Sequence, residues 1–412
     1  MLSDHTPALS VVTVPAPEAL TGDLLEYTSA ATPLAWLRAG DGFVGVGEAL
    51  RWEGSGPERF AAARRWWASL SAAATVDNSV DARGSGLVAF GTFAFSASSM
   101  TSSALIVPRM IIGRSGGVAW VTIVSLADEP SSRPSAVPIR PGSPIDFVDG
   151  AMAGPAYRDA IQEGLRRISR GEVEKVVLAR ELTATLPADT DARWPLSRLA
   201  DSYPDCWTFA VDGLLGATPE MLARVDGGTV RARVLAGSTG RGTDAASDAS
   251  AALTLATSEK DRDEHGYAVR SVLSALAPHT SSLVSSDQPF TLKLPNLWHL
   301  ASDVEGRLSD GSSSLDMADA LHPTAAVAGT PTRDALAMID ELEAFDRGRY
   351  AGPVGWVDAD GDGAWGIALR CAQVTSGRVT AYAGAGVVTG SEAQRELAET
   401  GMKFKPIIDA FS

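Results

Sequence analysis

Short apolar runs of β type, separated by glycine and serine, recur along most of the chain, and no regular strand–helix alternation links them. Residues 1–128 alone carry FVGVGEAL, GLVAFGTFAF, SALIVPRMIIG and GVAWVTIVSL. One helical stretch over about residues 57–74, containing Trp66 and Trp67, lies among them. A doubly wound sheet needs a helix after nearly every strand, so this texture points to an α+β body with large antiparallel sheets. Residues 1–128 read as a largely antiparallel layer. Prolines 130, 134, 138, 141 and 144 then forbid helix or central strand and predict an extended crossover.

Beyond it, Tyr157, Ile161, Leu165 and Ile168 fall on one helix face. The pattern continues with strands over 176–182, 207–211 and 229–235, one helix from about 251 to 276 and a strand over 292–300. Two further helices and a hairpin are expected to complete the chain.

Charge and cysteine content remove several function classes. Fifty acidic residues against 35 basic ones give a net charge of −15, which disfavours a nucleic-acid partner, since phosphate backbones are held by clustered Lys and Arg. Cys206 and Cys371 are the only cysteines, too few and too far apart for a disulfide framework or a cysteine-held zinc. MLSDHTPALS has neither the basic start nor the apolar core of a secretory signal, and no apolar run is long enough for a membrane span. The expectation is a cytoplasmic protein. With no heptad repeat, a monomer is expected.

Several motif matches fail on context. Gly113-Arg114-Ser115-Gly116-Gly117 has nucleophile-elbow spacing, but β-type runs flank it on both sides, so it reads as a hairpin turn. Asp358, Asp360, Asp362 and Gly363 imitate a calcium loop, yet position twelve is Leu369 where a glutamate is required. The Gly237–Thr243 loop lacks the lysine of a phosphate loop, and Gly384-Ala385-Gly386 misses the dinucleotide spacing.

Two acidic pairs remain. Asp261 and Glu264 lie three apart at the start of a helical stretch, and Glu396 and Glu399 repeat that spacing. Carboxylates without supporting cysteines or clustered histidines suit Mg²⁺, a hard ion whose shell is often completed by an anionic substrate.

Nine blocks, VEKVVLARE, GATPEML, LAGSTGRG, SEKDRDEH, NLWHLASDVEG, LHPTAAVAG, ALRCAQV, YAGAGVV and ETGMK, occur in the order seen in chorismate-utilising enzymes. On these blocks, which run from about residue 150 to the end, the chain resembles the isochorismate synthases of menaquinone and siderophore pathways. The resemblance implies one α+β body of two large antiparallel sheets with helices outside. Residues 150–412 would form the chorismate-binding catalytic region, and residues 1–145 a β-rich part completing the fold.

The resemblance also implies roles for single residues. Lys175 matches the general base that deprotonates a water for attack at C2 of the chorismate ring, and Glu220 the acid that protonates the departing C4 hydroxyl. Glu264 and Glu399 match direct Mg²⁺ ligands, with Asp261 and Glu396 acting through metal-bound water. Gly237 and Ser238 resemble donors to the ring carboxylate, with Lys403 near the same charge. Arg370 matches the grip on the enolpyruvyl carboxylate, with Tyr350 and the Gly384 backbone beside it, and His299 matches a histidine near the ring. By pattern alone, Lys175 would read as an edge-strand lysine with an exposed amine, and Arg370 as an exposed strand arginine.

Members of this family differ in nucleophile and in the fate of the first product. Lys175 favours water over ammonia, and Ala236 departs from the lysine that some aminodeoxychorismate synthases carry there. Ala326 resembles the small residue of isochorismate synthases, where salicylate synthases tend to carry threonine. Salicylate synthase is the alternative reading; an anthranilate-type synthase and a catalytically silent chorismate-binding subunit stand behind it.

Overall fold

The computed structural model describes residues 8–16, 22–126, 135–375 and 377–412. The N-terminal segment MLSDHTP and prolines 130 and 134 of the expected crossover lie outside the described residues. Prolines 138, 141 and 144 fall in chain without regular secondary structure, as extended crossover chain should.

Two large sheets, of thirteen and ten strands among the described residues, form the body, and α-helices pack outside them. Pairing is antiparallel apart from Leu9–Pro15 with Thr75–Asn78. The expected single layer over residues 1–128 is instead divided between the sheets. Leu34–Arg38 pairs with Trp207–Val211 in the larger sheet, and Val88–Thr92 pairs with Pro353–Asp358 in the smaller. Alternating burial shows which face of a strand is apolar but not which strand lies beside it, so the division was not visible in the sequence.

Other departures have local causes. The single helix expected over 251–276 is two, Ala245–Thr257 and Glu259–Leu276. Ser258 between them is extended, and its side chain accepts a hydrogen bond from the Asp261 N–H at 3.3 Å, capping the second helix. The strand expected over 292–300 is a hairpin of Phe290–Lys293 and Leu297–Leu308 turning through Pro295, which cannot donate to a ladder. Three helices follow rather than two: Ser314–Leu321, Thr332–Leu342 and Ala393–Ala410. The first is barely two turns long, too short for a clear period, and is held by a capping box between Ser313 and Asp316. Two hairpins replace the expected one: Pro353–Asp358 with Gly363–Ile367, and Cys371–Thr375 with Arg378–Val387.

The Gly113–Gly117 motif is a two-residue hairpin turn, with Ser115 opposite Val118 and Gly116 and Gly117 both at positive φ. The Asp358–Asp362 run is likewise a hairpin tip.

Around Leu34–Arg38 both faces of the larger sheet are covered. Along Leu34–Arg38, Leu34 and Trp36 join the main core with Phe90, Trp120, Trp356 and Trp365, while Ala35 and Leu37 join a second core. That second core lies under Arg193–Ser202 and Ala393–Ala410, which contribute Leu196, Leu199, Phe404 and Ile407. Among the described residues no helix is long and apolar enough to cross a membrane.

Candidate active site

The chain leaves the smaller sheet after Gly363–Ile367 and enters the larger one at Cys371. Arg370 makes this turn in the left-handed region at φ 49°, its carbonyl accepting from the Ala217 N–H at 3.1 Å. Such strain in a non-glycine residue persists only where its surroundings fix it. Here Arg370 is 8% exposed, not the exposed strand arginine that pattern suggests, and it borders a cleft.

All the site residues expected from the sequence line this cleft except Lys175, Asp261 and Glu396. Strand Arg378–Val387 supplies one wall, in register with Lys175–Thr185: Val177 faces Gly386 and Ala179 faces Gly384. Glycine is required in that wall. A Cβ on Gly384 would stand 2.9 Å from the Leu178 carbonyl and 3.1 Å from Tyr350 Oη. A Cβ on Gly386 would stand 2.1 Å from Glu264 Oε1. Gly386→Ala should therefore displace the Glu264 carboxylate, while Gly384→Ala presses on the strand backbone, with an overpacking cost of about 1–3 kcal/mol. Gly401, with open space at its Cβ inside helix Ala393–Ala410, should gain up to about 1 kcal/mol as alanine. Denaturant midpoints for Gly384→Ala and Gly401→Ala should move in opposite directions; a shared direction would contradict the crowding at Gly384.

Lys175 is fully buried rather than exposed on an edge, and it sits behind the cleft wall. Its Nζ is 3.3 Å from Glu264 Oε1, but no aligned hydrogen-bond acceptor reaches it.

Opposite Leu297–Leu308, strand Thr229–Gly240 bulges between Leu235 and Ser238, with Gly237 at φ 81°. The bulge re-aims both ends. The Leu235 N–H donates to Glu220 Oε1 at 3.3 Å, and Ser238 comes to face His299. Glu220 is 3% exposed, and burial pushes its carboxyl up to about 7. The Leu235 N–H and the charges of Lys175, Lys403 and Arg370 oppose that rise without cancelling it.

Ser238 Oγ lies 2.8 Å from His299 Nδ1, and Arg370 Nη2 lies 2.9 Å from His299 Nε2. Arg370 Nη1 is buried with no partner. Tyr350 lies beside Arg370 in the cleft lining and stacks on Tyr382 with ring centres 5.2 Å apart, and burial raises the Tyr350 hydroxyl well above its usual value. Lys403 Nζ is held 2.8 Å from the Gly384 carbonyl and 2.6 Å from Glu399.

The acidic pairs divide. Glu264 and Glu399 line the cleft, whereas Asp261 lies against Gly237 and Glu396 is held by Lys260 Nζ at 2.9 Å. Burial first, and then the Glu264 and Glu399 charges, raise the Asp261 carboxyl; burial and Glu399 likewise raise Glu396. Among the described residues no three His, Cys, Asp or Glu side chains converge as a ready metal shell. Two carboxylates on a polar cleft, backed by two more whose charges they oppose, still fit Mg²⁺. That ion takes one or two protein carboxylates and fills its other positions with water and substrate oxygens.

Some contributors were not foreseen from the sequence. Arg347 lines the cleft and ties its floor together, donating to the Val327 and Val177 carbonyls at 2.9 and 2.8 Å and to Glu343 at 2.5 Å. Glu343 in turn accepts from the Ala179 N–H at 2.7 Å. Their four-residue spacing was the available signal, but it also describes an ordinary exposed helix pair. Tyr382 and Lys260 gave no signal.

A model of chorismate-binding enzymes matches residues 33–138 and 147–412. The isochorismate synthase DhbC of Bacillus subtilis is 40% identical over 266 residues, covering 62% of this chain and 67% of that protein. The menaquinone-specific isochorismate synthase MenF of Escherichia coli superposes with a TM-score of 0.83 at 24% identity, over 99% of this chain and 95% of that one. Anthranilate synthase component I of Streptococcus pneumoniae superposes with a TM-score of 0.73 at 21% identity, over 90% and 92% of the two chains. The fold is thus common to proteins whose names carry different reactions, and the family match over most of the length is what decides membership. This chain belongs to the chorismate-binding enzyme family.

Proposed function

We propose that the chain is a Mg²⁺-dependent isochorismate synthase, converting chorismate to isochorismate. The observation that carries the reading is Glu220: a buried carboxyl bordering the cleft that keeps its proton to about pH 7, as an acid for a departing hydroxyl must. In this reading a water gives a proton to Lys175 Nζ and its oxygen bonds to C2. The ring double bonds shift, and the C4–O bond breaks as Glu220 delivers its proton. One water enters and one leaves. Lys175 can act only as the neutral amine, once it has given up its proton and Glu264, 3.3 Å away in the resting site, has released it. Bound Mg²⁺ would be held by Glu264 and Glu399 and would supply electrostatic grip on the ring carboxylate. Arg370, with a free buried Nη1, supports binding of the second carboxylate. The 40% identity to DhbC supports water as nucleophile.

Product analysis by chromatography with mass detection, on purified protein with chorismate and Mg²⁺, tests the assignment. Isochorismate is expected. Salicylate with equal pyruvate would move the protein to the bifunctional lyases, and unconsumed chorismate would remove the proposal. Glu399→Gln should weaken Mg²⁺ dependence and chorismate affinity together, because metal and substrate share that side of the cleft; a wild-type metal titration would sink the ligand assignment.

A further inference from the structure

His299 bridges two groups that face the same cleft, and the chemistry of one of them fixes its proton. An arginine carries only donors, so the Arg370 Nη2 contact at 2.9 Å requires His299 Nε2 to accept. A neutral ring then has its hydrogen on Nδ1, and that hydrogen points to Ser238 Oγ, 2.8 Å away. Burial, with Arg370 and Lys403 close by, holds the imidazole well below its usual pKa, and only the Gly237 main chain favours a ring proton. A doubly protonated ring would also leave Nε2–H facing an arginine donor. Ser238 Oγ therefore accepts from the histidine. Its own hydrogen has no other side-chain partner among the described residues, and Ser238 borders the cleft.

We infer that His299 is a positioning residue: locked as the Nδ1–H tautomer by Arg370, it occupies one acceptor position of Ser238 Oγ and leaves the hydroxyl hydrogen to be donated to an acceptor, such as a carboxylate oxygen, at that point of the cleft. The wire also joins the two anion grips. Arg370 spends Nη2 on the histidine and keeps Nη1 for ligand, so the arginine that receives one carboxylate orients the hydroxyl that receives the other. A cleft wired in this way favours a ligand with two acidic groups over one that places a donor-only ammonium at the Ser238 position. The identity of that ligand rests on the chorismate reading; the tautomer does not.

Two measurements test this. In the ligand-free, full-length protein with ¹⁵N-labelled histidine, ring-nitrogen shifts, with the His299 signals assigned by their loss in His299→Gln, should show Nδ1 protonated and Nε2 bare at neutral pH. An Nε2–H tautomer or an imidazolium overturns the inference whatever the enzyme makes. Kinetics with chorismate and Mg²⁺ supply the second readout. His299→Leu and Ser238→Ala should each raise KM on the order of 10- to 100-fold, the loss of a hydrogen bond to a charged group, with kcat largely kept. The double variant should be no worse than either single one, because one removes the Ser238 donor and the other what orients it. His299→Gln, whose amide can accept from Arg370 and donate to Ser238, should recover most of the affinity. Additive losses, or equal damage from Gln and Leu, would show that His299 merely fills space. If wild-type protein leaves chorismate untouched, the functional assignment fails while the tautomer result still stands or falls by itself.

Discussion

Glu220→Gln is expected to lower kcat by about 10²–10⁴-fold while chorismate still binds, because an amide of the same shape cannot deliver a proton to a departing hydroxyl. The same substitution should change how stability depends on pH. Folded Glu220 keeps its proton to about 7, whereas the unfolded side chain loses it near the ordinary value of 4.5. Between those values the folded state binds more protons, so the stabilisation present below pH 4.5 is lost as pH rises through 7. Its size is on the order of 3 kcal/mol. Glutamine does not ionise, so denaturation midpoints of variant and wild type should diverge by that amount across the window, the variant staying flatter. In the wild type, kcat/KM should fall above about pH 7 as the acid deprotonates. Normal turnover by the variant would require another acid, and parallel stability curves would contradict the raised carboxyl.

Lys175→Met should lose a comparable factor in turnover, about 10²–10⁴-fold, and yet unfold no earlier than the wild type. The second half rests on burial. The ammonium is fully enclosed and has no aligned acceptor, so its dehydration is poorly offset, and methionine fills similar volume without that cost. Glu264 would be left without its cation, but it lines the cleft with 11% of its side chain exposed and can be hydrated there. The charge facing water thus costs less alone than the charge sealed away from it. Unchanged turnover would remove Lys175 as the base. A melting temperature several degrees lower would mean that the ion pair is structural.

Local chemistry was legible wherever a few neighbouring residues decide the outcome. Two glycines between apolar runs gave the turn at Gly116-Gly117, and apolar content gave the strand Trp207–Val211 at its observed ends. The break at Ser258 was not legible, because serine both continues a helix and caps one, and the choice depends on what each side packs against. Pairing across the sheets was lost for the same reason: Phe90 opposite Trp356 spans most of the chain. At the site, pattern alone misread the two most telling residues. Lys175 and Arg370 are long cations on or beside strands, and burial of such groups is uncommon enough that surface is the natural expectation. The ordered blocks overrode that expectation and gathered most of the cleft, but Glu343 and Arg347, which tie its floor, remained hidden in an ordinary helical spacing.

The glycine wall has an evolutionary consequence. Where Arg378–Val387 faces Glu264 and Tyr350, the cleft is shaped by atoms that are missing, and every substitution at Gly384 or Gly386 adds bulk. Drift at those two positions can only narrow the chamber. Descendants of this chain that acquire a larger or differently shaped substrate must find the room elsewhere in the lining, where Leu369, Tyr350 and Tyr382 carry side chains that can shrink as well as grow. Divergence of specificity on this scaffold is therefore uneven, with the two glycine positions held fixed and the bulky lining side chains open to selection.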